Sequence, residues 1–462
     1  MTRLVAATDT ACPIHLVAAA DLDHWLESLS TSHRRWAGTQ RFRAGAGQML
    51  LLPDVDGSLA AVAVSFDART PLWTLSGLAE GLPEGSYRLA REFGADMEEA
   101  LALGFLLGGY RFTRYTGKPA QGVALVIADE FRRERVNAMA DAWRLGRDLV
   151  NTPTEDLGPA QFAEVATAVA QRFGADVKVH QGEALAEQFP AIHAVGRASH
   201  RAPRLLELDW GRPEQPAVTL VGKGVCFDTG GLDLKSADGM ALMKKDMGGA
   251  AVALALAQLI MATALPVRLK LLIPLVENAV GPDAYRPGEV IRTRAGLSVE
   301  IGNTDAEGRV VLCDALTYAG ENPPDLLLDF ATLTGAARVA LGPDLPALFT
   351  DDEDLAQGLL AGGRACADPL WRMPLWDDYL IDLASPIADL NNSGASKLAG
   401  AITAALYLKR FVQPGQSWAH LDTYCWNPKP RPGRPVGGEV QGLRASFAFL
   451  EWRYSKQAED RR

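Results

Sequence analysis

With 462 residues, 48% of them hydrophobic and 22% charged, the chain can bury a large core across two or three domains, which excludes disorder as the default reading. Its formal net charge of −10 argues against nucleic acid as the main partner, because phosphate binding needs a basic surface. The basic runs at Arg132, Arg133 and Arg135 and at 429–434 read as solvated surface. Cys12, Cys226, Cys313, Cys366 and Cys425 are scattered, with no CxxC pair, so no disulfide framework is expected and a reducing, cytoplasmic compartment fits. His15, Asp21 and Asp23 interrupt the N-terminal stretch, which has no signal-peptide pattern. Apolar runs stop short of the ~18 residues of a membrane span, so no membrane is expected.

In chain order, the first part alternates short apolar runs with helical stretches. Residues 48–53 and 59–66 read as strands, 87–107 as a helix and 122–129 as a strand. The stretch 133–150 has apolar residues at helical spacing and is stopped by Asn151-Thr152-Pro153. It is expected to link an N-terminal domain (1–132) to a catalytic domain (151–462). Beyond it, 217–221 reads as a strand, 248–265 as an Ala-rich helix, 267–276 as a strand, 310–320 as a helix and 325–330 as a strand. The fold class expected is α/β: a small N-terminal α/β domain, then a larger C-terminal α/β domain with a central, mostly parallel sheet. Sites in such sheets form where strands give way to loops.

Three charged segments lie at such places. VGKGVCFDTGGLDLK (221–235) carries Lys223, Asp228 and Lys235, MKKDMGGAA (243–251) carries Asp246, and NTDAEGRV (303–310) carries Asp305, Glu307 and Arg309. Taken singly, each has a plain reading. Asp228 is a turn residue, Asp246 caps a helix, and Arg309 forms a local ion pair with Asp305 or Glu307. A phosphate loop at Lys223 is disfavoured, because G-x-x-x-x-G-K-[ST] is absent. In an extended stretch, Asp305 and Glu307 would point to one side, and two like charges so placed call for a cation. The seven histidines show no HExxH, so a histidine-rich zinc site is disfavoured, while Asp228, Asp246, Asp305 and Glu307 supply a carboxylate-rich site for two metals. Cys226 and Cys313 read as small core residues.

These segments resemble those of the leucyl aminopeptidase family, the cytosol aminopeptidases. NTDAEGR resembles the family signature, and VGKGVCFDTGG, Lys235 and MKKDMGG match its other catalytic segments in order and spacing. The resemblance runs from about Asn151 onward, and EEALALGFLLGGYRFTRY is its best segment before that. It implies an aminopeptidase acting on short peptides, with two divalent ions, manganese or zinc. Asp228 and Glu307 would bridge the ions, Asp305 would complete one of them, and Lys223 and Asp246 the other. It also implies that Lys235 stabilises the oxyanion and that Arg309 holds a bicarbonate for proton transfer. Asn303, Met243, Thr332, Leu333 and Gly335 are implied to bind an apolar, leucine-like first residue, although Met243 also reads as a core residue. A homohexamer is implied as well. HLDTYCWN (420–427) departs from the family's HLDIAG, which puts the leucine preference in doubt. A DNA-binding accessory role and a non-catalytic scaffold are the competing readings.

Overall fold

The computed structural model describes residues 2–6, 8, 10–117 and 122–459. The chain forms two compact units, Met1–Arg144 with Lys429–Val436, and Leu145–Pro428 with Gly437–Arg462. In the first unit, strands β1 to β6 (Arg3–Val5, Cys12–Val17, Met49–Pro53, Leu59–Ser65, Gly85–Leu89, Val123–Val126) form one sheet in the order β1-β6-β5-β2-β4-β3. All its pairs are parallel except β3 with β4. Helices α1 (Leu22–Ser28), α2 (Thr31–Thr39) and α3 (Ala95–Gly108) belong to this unit.

The helix expected over 87–107 is therefore shorter, and its first residues are the strand β5. Tyr87 is buried between partners on both sides, Cys12 of β2 and Leu125 of β6, and its hydroxyl donates to the Pro83 carbonyl at 2.8 Å. Helix α3 starts only after Gly94, whose extended backbone caps it without a side-chain bond. Sheet pairing outweighs a local apolar pattern that reads equally well as helix. Helix α4 (Glu130–Asn151) then carries the chain into the second unit.

The second unit holds strands β7 (Asp176–Gln181), β8 (Arg204–Trp210), β9 (Ala217–Gly222), β10 (Gly224–Asp228), β11 (Arg268–Asn278), β12 (Val290–Arg292), β13 (Ser298–Glu300), β14 (Leu326–Ala331), β15 (Ala347–Phe349), β16 (Trp371–Arg372), β17 (Leu390–Asn391) and β18 (Trp418–Asp422). Nine of them form the main sheet, ordered β16-β15-β18-β14-β9-β11-β8-β7, with β10 paired to the far end of β11. The central run β18-β14-β9-β11 is parallel, and the edges β15, β8 and β7 add antiparallel pairs. Strands β12, β13 and β17 form a small separate sheet.

Helices cover both faces of the parallel core. Helix α5 (Gly248–Ala262) is buried along almost its whole length. Its glycines permit that approach: a methyl group on Gly249 would lie 2.1 Å from the Phe330 carbonyl oxygen of β14. The stretch 237–262 is long and apolar enough to cross a membrane by length and composition, but 94% of its apolar window is buried within the protein, as for a core helix. Helix α6 (Glu307–Gly320) lies on the other face. Val221, Leu272 and Leu327 of the sheet pack with its Val310 and Val311, whereas the neighbouring Gly222 faces Ala250 of α5. The carboxyl ends of β9, β10, β11 and β14 thus converge on the amino ends of α5 and α6. Helix α7 (Gly335–Leu341) follows β14, and α8 (Leu443–Glu459) packs on α5.

Candidate metal centre

Lys223 stands in the break between β9 and β10. Its N–H donates to the Phe330 carbonyl and its own carbonyl accepts from Ala250 N–H, both at 2.9 Å. The side chain runs beside Gly308, where an added methyl would lie 2.5 Å from Cε and 2.7 Å from Nζ. The buried ammonium sits 2.6 Å from Asp246 Oδ2 and 2.9 Å from Glu307 Oε1, and donates to the Thr332 carbonyl at 3.0 Å.

Strand β10 ends on Asp228. Its Oδ1 accepts from Gly230 N–H and from Asn278 Nδ2, each at 2.8 Å, and its Oδ2 lies 2.8 Å from Lys235 Nζ. Lys235 also pairs with Asp305. Gly230 and Gly231, with φ of +87° and +64°, turn the loop so that Lys235 comes back over the strand end.

The octapeptide does not run extended as the sequence suggests. It makes a turn, and α6 begins at Glu307 itself. Asn303 Oδ1 accepts from Asp305 N–H at 2.8 Å, and Asn392 Nδ2 donates to the Asn303 carbonyl at 2.8 Å. Such Asx geometry favours a turn over a strand. The carboxylates still converge: oxygens of Asp228, Asp305 and Glu307 lie within 4.8 Å of one another.

Two of the plain readings also change. Asp246 does not cap α5, whose N-cap is Met247 with no side-chain bond. Its Oδ1 accepts from Thr332 Oγ1 at 2.8 Å, and its Oδ2 faces Lys223. Arg309 is not the ion-pair partner of Asp305 or Glu307. It is buried, its Nη1 donates to the Asn392 carbonyl at 2.9 Å, and its Nε has no hydrogen-bond partner among the described residues.

The electrostatics are lopsided. Burial alone would push the Lys223 ammonium down, but Asp246, Glu307 and Asp228 outweigh it and hold the pKa above its usual value. Lys235 is likewise driven down by burial and held up by Asp228 and Glu307. Burial, then repulsion from Asp228, lifts Asp305 to about 6 and puts Glu307 well above the ordinary range. Four carboxylates (Asp228, Asp246, Asp305, Glu307) share two ammoniums (Lys223, Lys235), and the buried Glu307 Oε2 has no partner among the described residues. A surplus of buried carboxylate oxygen, one atom unmatched, fits hard divalent cations.

A cavity of about 510 Å³ opens onto this cluster. Lys223, Asp228, Asp246, Asp305, Glu307 and Lys235 line it, together with Met243, Thr332, Leu333 and Gly335. Arg309 and Asn303 do not. Asn303 spends its side chain on the turn.

Several residues of the site escaped the sequence reading. Asn278, fully buried, ties Asp228 to the Thr304 carbonyl, and its signal was a polar residue closing an apolar strand. Asp422, at the end of β18, accepts from Leu333 N–H at 2.9 Å and from Thr334 Oγ1 at 2.6 Å, which fixes the loop after β14. Lys245, Arg338 and Tyr424 also line the cavity.

Residues 144–444 match the model of the cytosol aminopeptidase family, catalytic domain, and residues 12–128 that of the M17 aminopeptidase, N-terminal domain. A probable cytosol aminopeptidase of Syntrophotalea carbinolica is 40% identical over 372 residues, 76% of this chain and 74% of that protein. The crystal structure of a cytosol aminopeptidase from Coxiella burnetii superposes with a TM-score of 0.94 at 47% identity, covering 98% of this chain and 99% of that one. A bottromycin maturation enzyme, solved in complex with Mn, superposes with a TM-score of 0.86 at 35% identity, covering 96% of this chain and 99% of its own.

Proposed function

The chain belongs to the cytosol aminopeptidase family and is a metal-dependent aminopeptidase, and from that premise we propose that it uses two divalent ions, manganese or zinc, to remove the first residue of short peptides. The observation that carries this reading is the surplus of buried carboxylate at the strand ends. Asp246 and Glu307 gather at Lys223, and Asp228 and Asp305 gather at Lys235, so the donors fall into two sets. When bound, the ions supply an activated water and polarise the scissile carbonyl.

The chain's own groups do the rest. Lys223, Asp228, Asp246, Asp305 and Glu307 would hold the ions, Lys223 as the neutral amine. Lys235, released from Asp228 and Asp305, turns its ammonium to the charge that develops on the carbonyl oxygen. Met243, Thr332, Leu333 and Gly335 receive an apolar, leucine-like first side chain, and Asn303 shapes the turn behind them. Arg309 would hold a bicarbonate, whose chemistry is to accept and return a proton. The unmatched Nε–H supports an anion there. The acidic balance and scattered cysteines support a cytoplasmic protein that does not engage nucleic acid, and the family supports a homohexamer.

The test is hydrolysis of a panel of aminoacyl amides with added manganese or zinc, beside Glu307→Ala. Metal-dependent hydrolysis that drops to background in the variant is expected. Equal activity in the variant would overturn the assignment.

A further inference from the structure

The same cavity carries positive charge that the carboxylate cluster does not use. Lys245, buried, stands next to Asp246 and two residues from Met243, and its Nζ lies 4.9 Å from the centre of the Tyr424 ring. The guanidinium carbon of Arg338, on α7, lies 5.1 Å from the same ring. All three residues line the cavity. Among the described residues, neither cation has a carboxylate within 4.0 Å. Lys223 and Lys235, by contrast, each touch two carboxylates. Of the remaining acidic groups on the wall, Asp238 is exposed and Asp422 is committed to Leu333 and Thr334. A ring face offsets only part of the cost of burying an ammonium, so the buried Lys245, with the exposed Arg338 beside the same ring, is left without an anionic partner on this wall.

We infer that the pocket also takes an acidic first residue, its methylenes against Met243 and Leu333 and its carboxylate between Lys245 and Arg338. The inference rests on the aminopeptidase reading. The first residue is indicated because Lys245 lines the same cavity as its sequence neighbours Met243 and Asp246. Glutamine is the neutral isostere of glutamate and forfeits the charge-assisted bonds. A pocket built for a carboxylate therefore separates the two substrates.

The experiment is steady-state kcat/KM of the manganese-loaded enzyme on the 7-amido-4-methylcoumarin derivatives of Glu, Gln and Leu, in the wild type, Lys245→Met and Arg338→Gln. The expected Glu-to-Gln ratio is roughly tenfold in the wild type, falling toward one in Lys245→Met and by a smaller factor in Arg338→Gln. The ratio is internal to each protein, so a variant that merely folds less well lowers both rates and leaves it unchanged. Leu and Gln turnover without a Glu preference, or a ratio untouched by both substitutions, would overturn the inference alone. Turnover of none of the three would overturn the aminopeptidase reading and this inference with it. Leu-Leu is compared with Leu-Leu-amide in parallel. A carboxylate preference found only there, and lost in the variants, would overturn the first-residue assignment by moving the anion to the leaving peptide.

Discussion

The two units of the chain handle charge in opposite ways. In the first, Arg132 pairs with Glu98 and Asp129, and Arg135 with Glu99, so no cation is crowded by buried carboxylate, at partly exposed positions linking α3 and α4. In the second, four carboxylates crowd two ammoniums at the buried ends of β9 and β10 and the start of α6, with a carboxylate oxygen left over. Ion pairs within reach of solvent contribute little and ask for nothing further. Buried surplus charge is costly, and it persists only where something else completes it. The first pattern is structural and the second marks the working site.

The strongest way to sharpen that contrast is Lys235→Met. The ammonium is proposed to act on the reacting oxygen, so kcat should fall by about 10² to 10³ while the ions remain bound. Metal analysis of the purified variant separates this from loss of the site. Asn278→Ala comes next. It removes a buried donor that holds Asp228 Oδ1, and support of this kind is worth roughly 10- to 100-fold in metal affinity, read by competition with a chelator. An unchanged affinity would mean that Asp228 does not bind the ions.

A subtler effect concerns pH. Asp305 is raised from 3.8 to about 6, so the folded, metal-free protein holds this proton more tightly than the unfolded chain. Folded protein therefore binds more protons between those values, and the group adds stability as pH falls through about 6 and loses it as pH rises. In urea unfolding of chelator-treated protein, the wild type should gain on Asp305→Asn between pH 7 and pH 5. A relative loss would contradict the assigned direction. Metal affinity should weaken over the same interval, because proton and cation compete for the carboxylate. The smallest effect belongs to the first unit: Glu98→Gln should shift the unfolding free energy by less than ~0.5 kcal/mol and leave hydrolysis unchanged. A large loss of activity there would erase the contrast between the units.

The strands of the parallel core were legible because they are short apolar runs between turn residues, and 267–276 and 217–221 lie within one or two residues of β11 and β9. The stretch 87–107 misled because Tyr87 and Leu89 fit a helical stripe as well as a strand, and only their pairing across β2 and β6 decides the matter. The extended reading of 303–310 failed for a different reason. It is bent by the local bond from Asp305 N–H to Asn303 Oδ1 and held by Asn392, about ninety residues away, through a bond no local pattern announces. The convergence of Asp228, Asp246, Asp305 and Glu307 is equally non-local, and family resemblance supplied the link that spacing alone left open. Lys245 was in view within MKKDMGG, yet its neighbour Tyr424 comes from the loop after β18, so the cationic wall exists only in the fold.

The central claim is that the surplus carboxylate holds two catalytic ions. Its most direct test is to strip the protein with chelator and titrate manganese back while following both bound metal and hydrolysis of a leucyl amide. The account predicts activity that rises to a plateau at two ions per chain, with neither tight binding nor activity in Glu307→Ala. Full hydrolysis by the stripped protein, or two tight ions retained in Glu307→Ala, would contradict it.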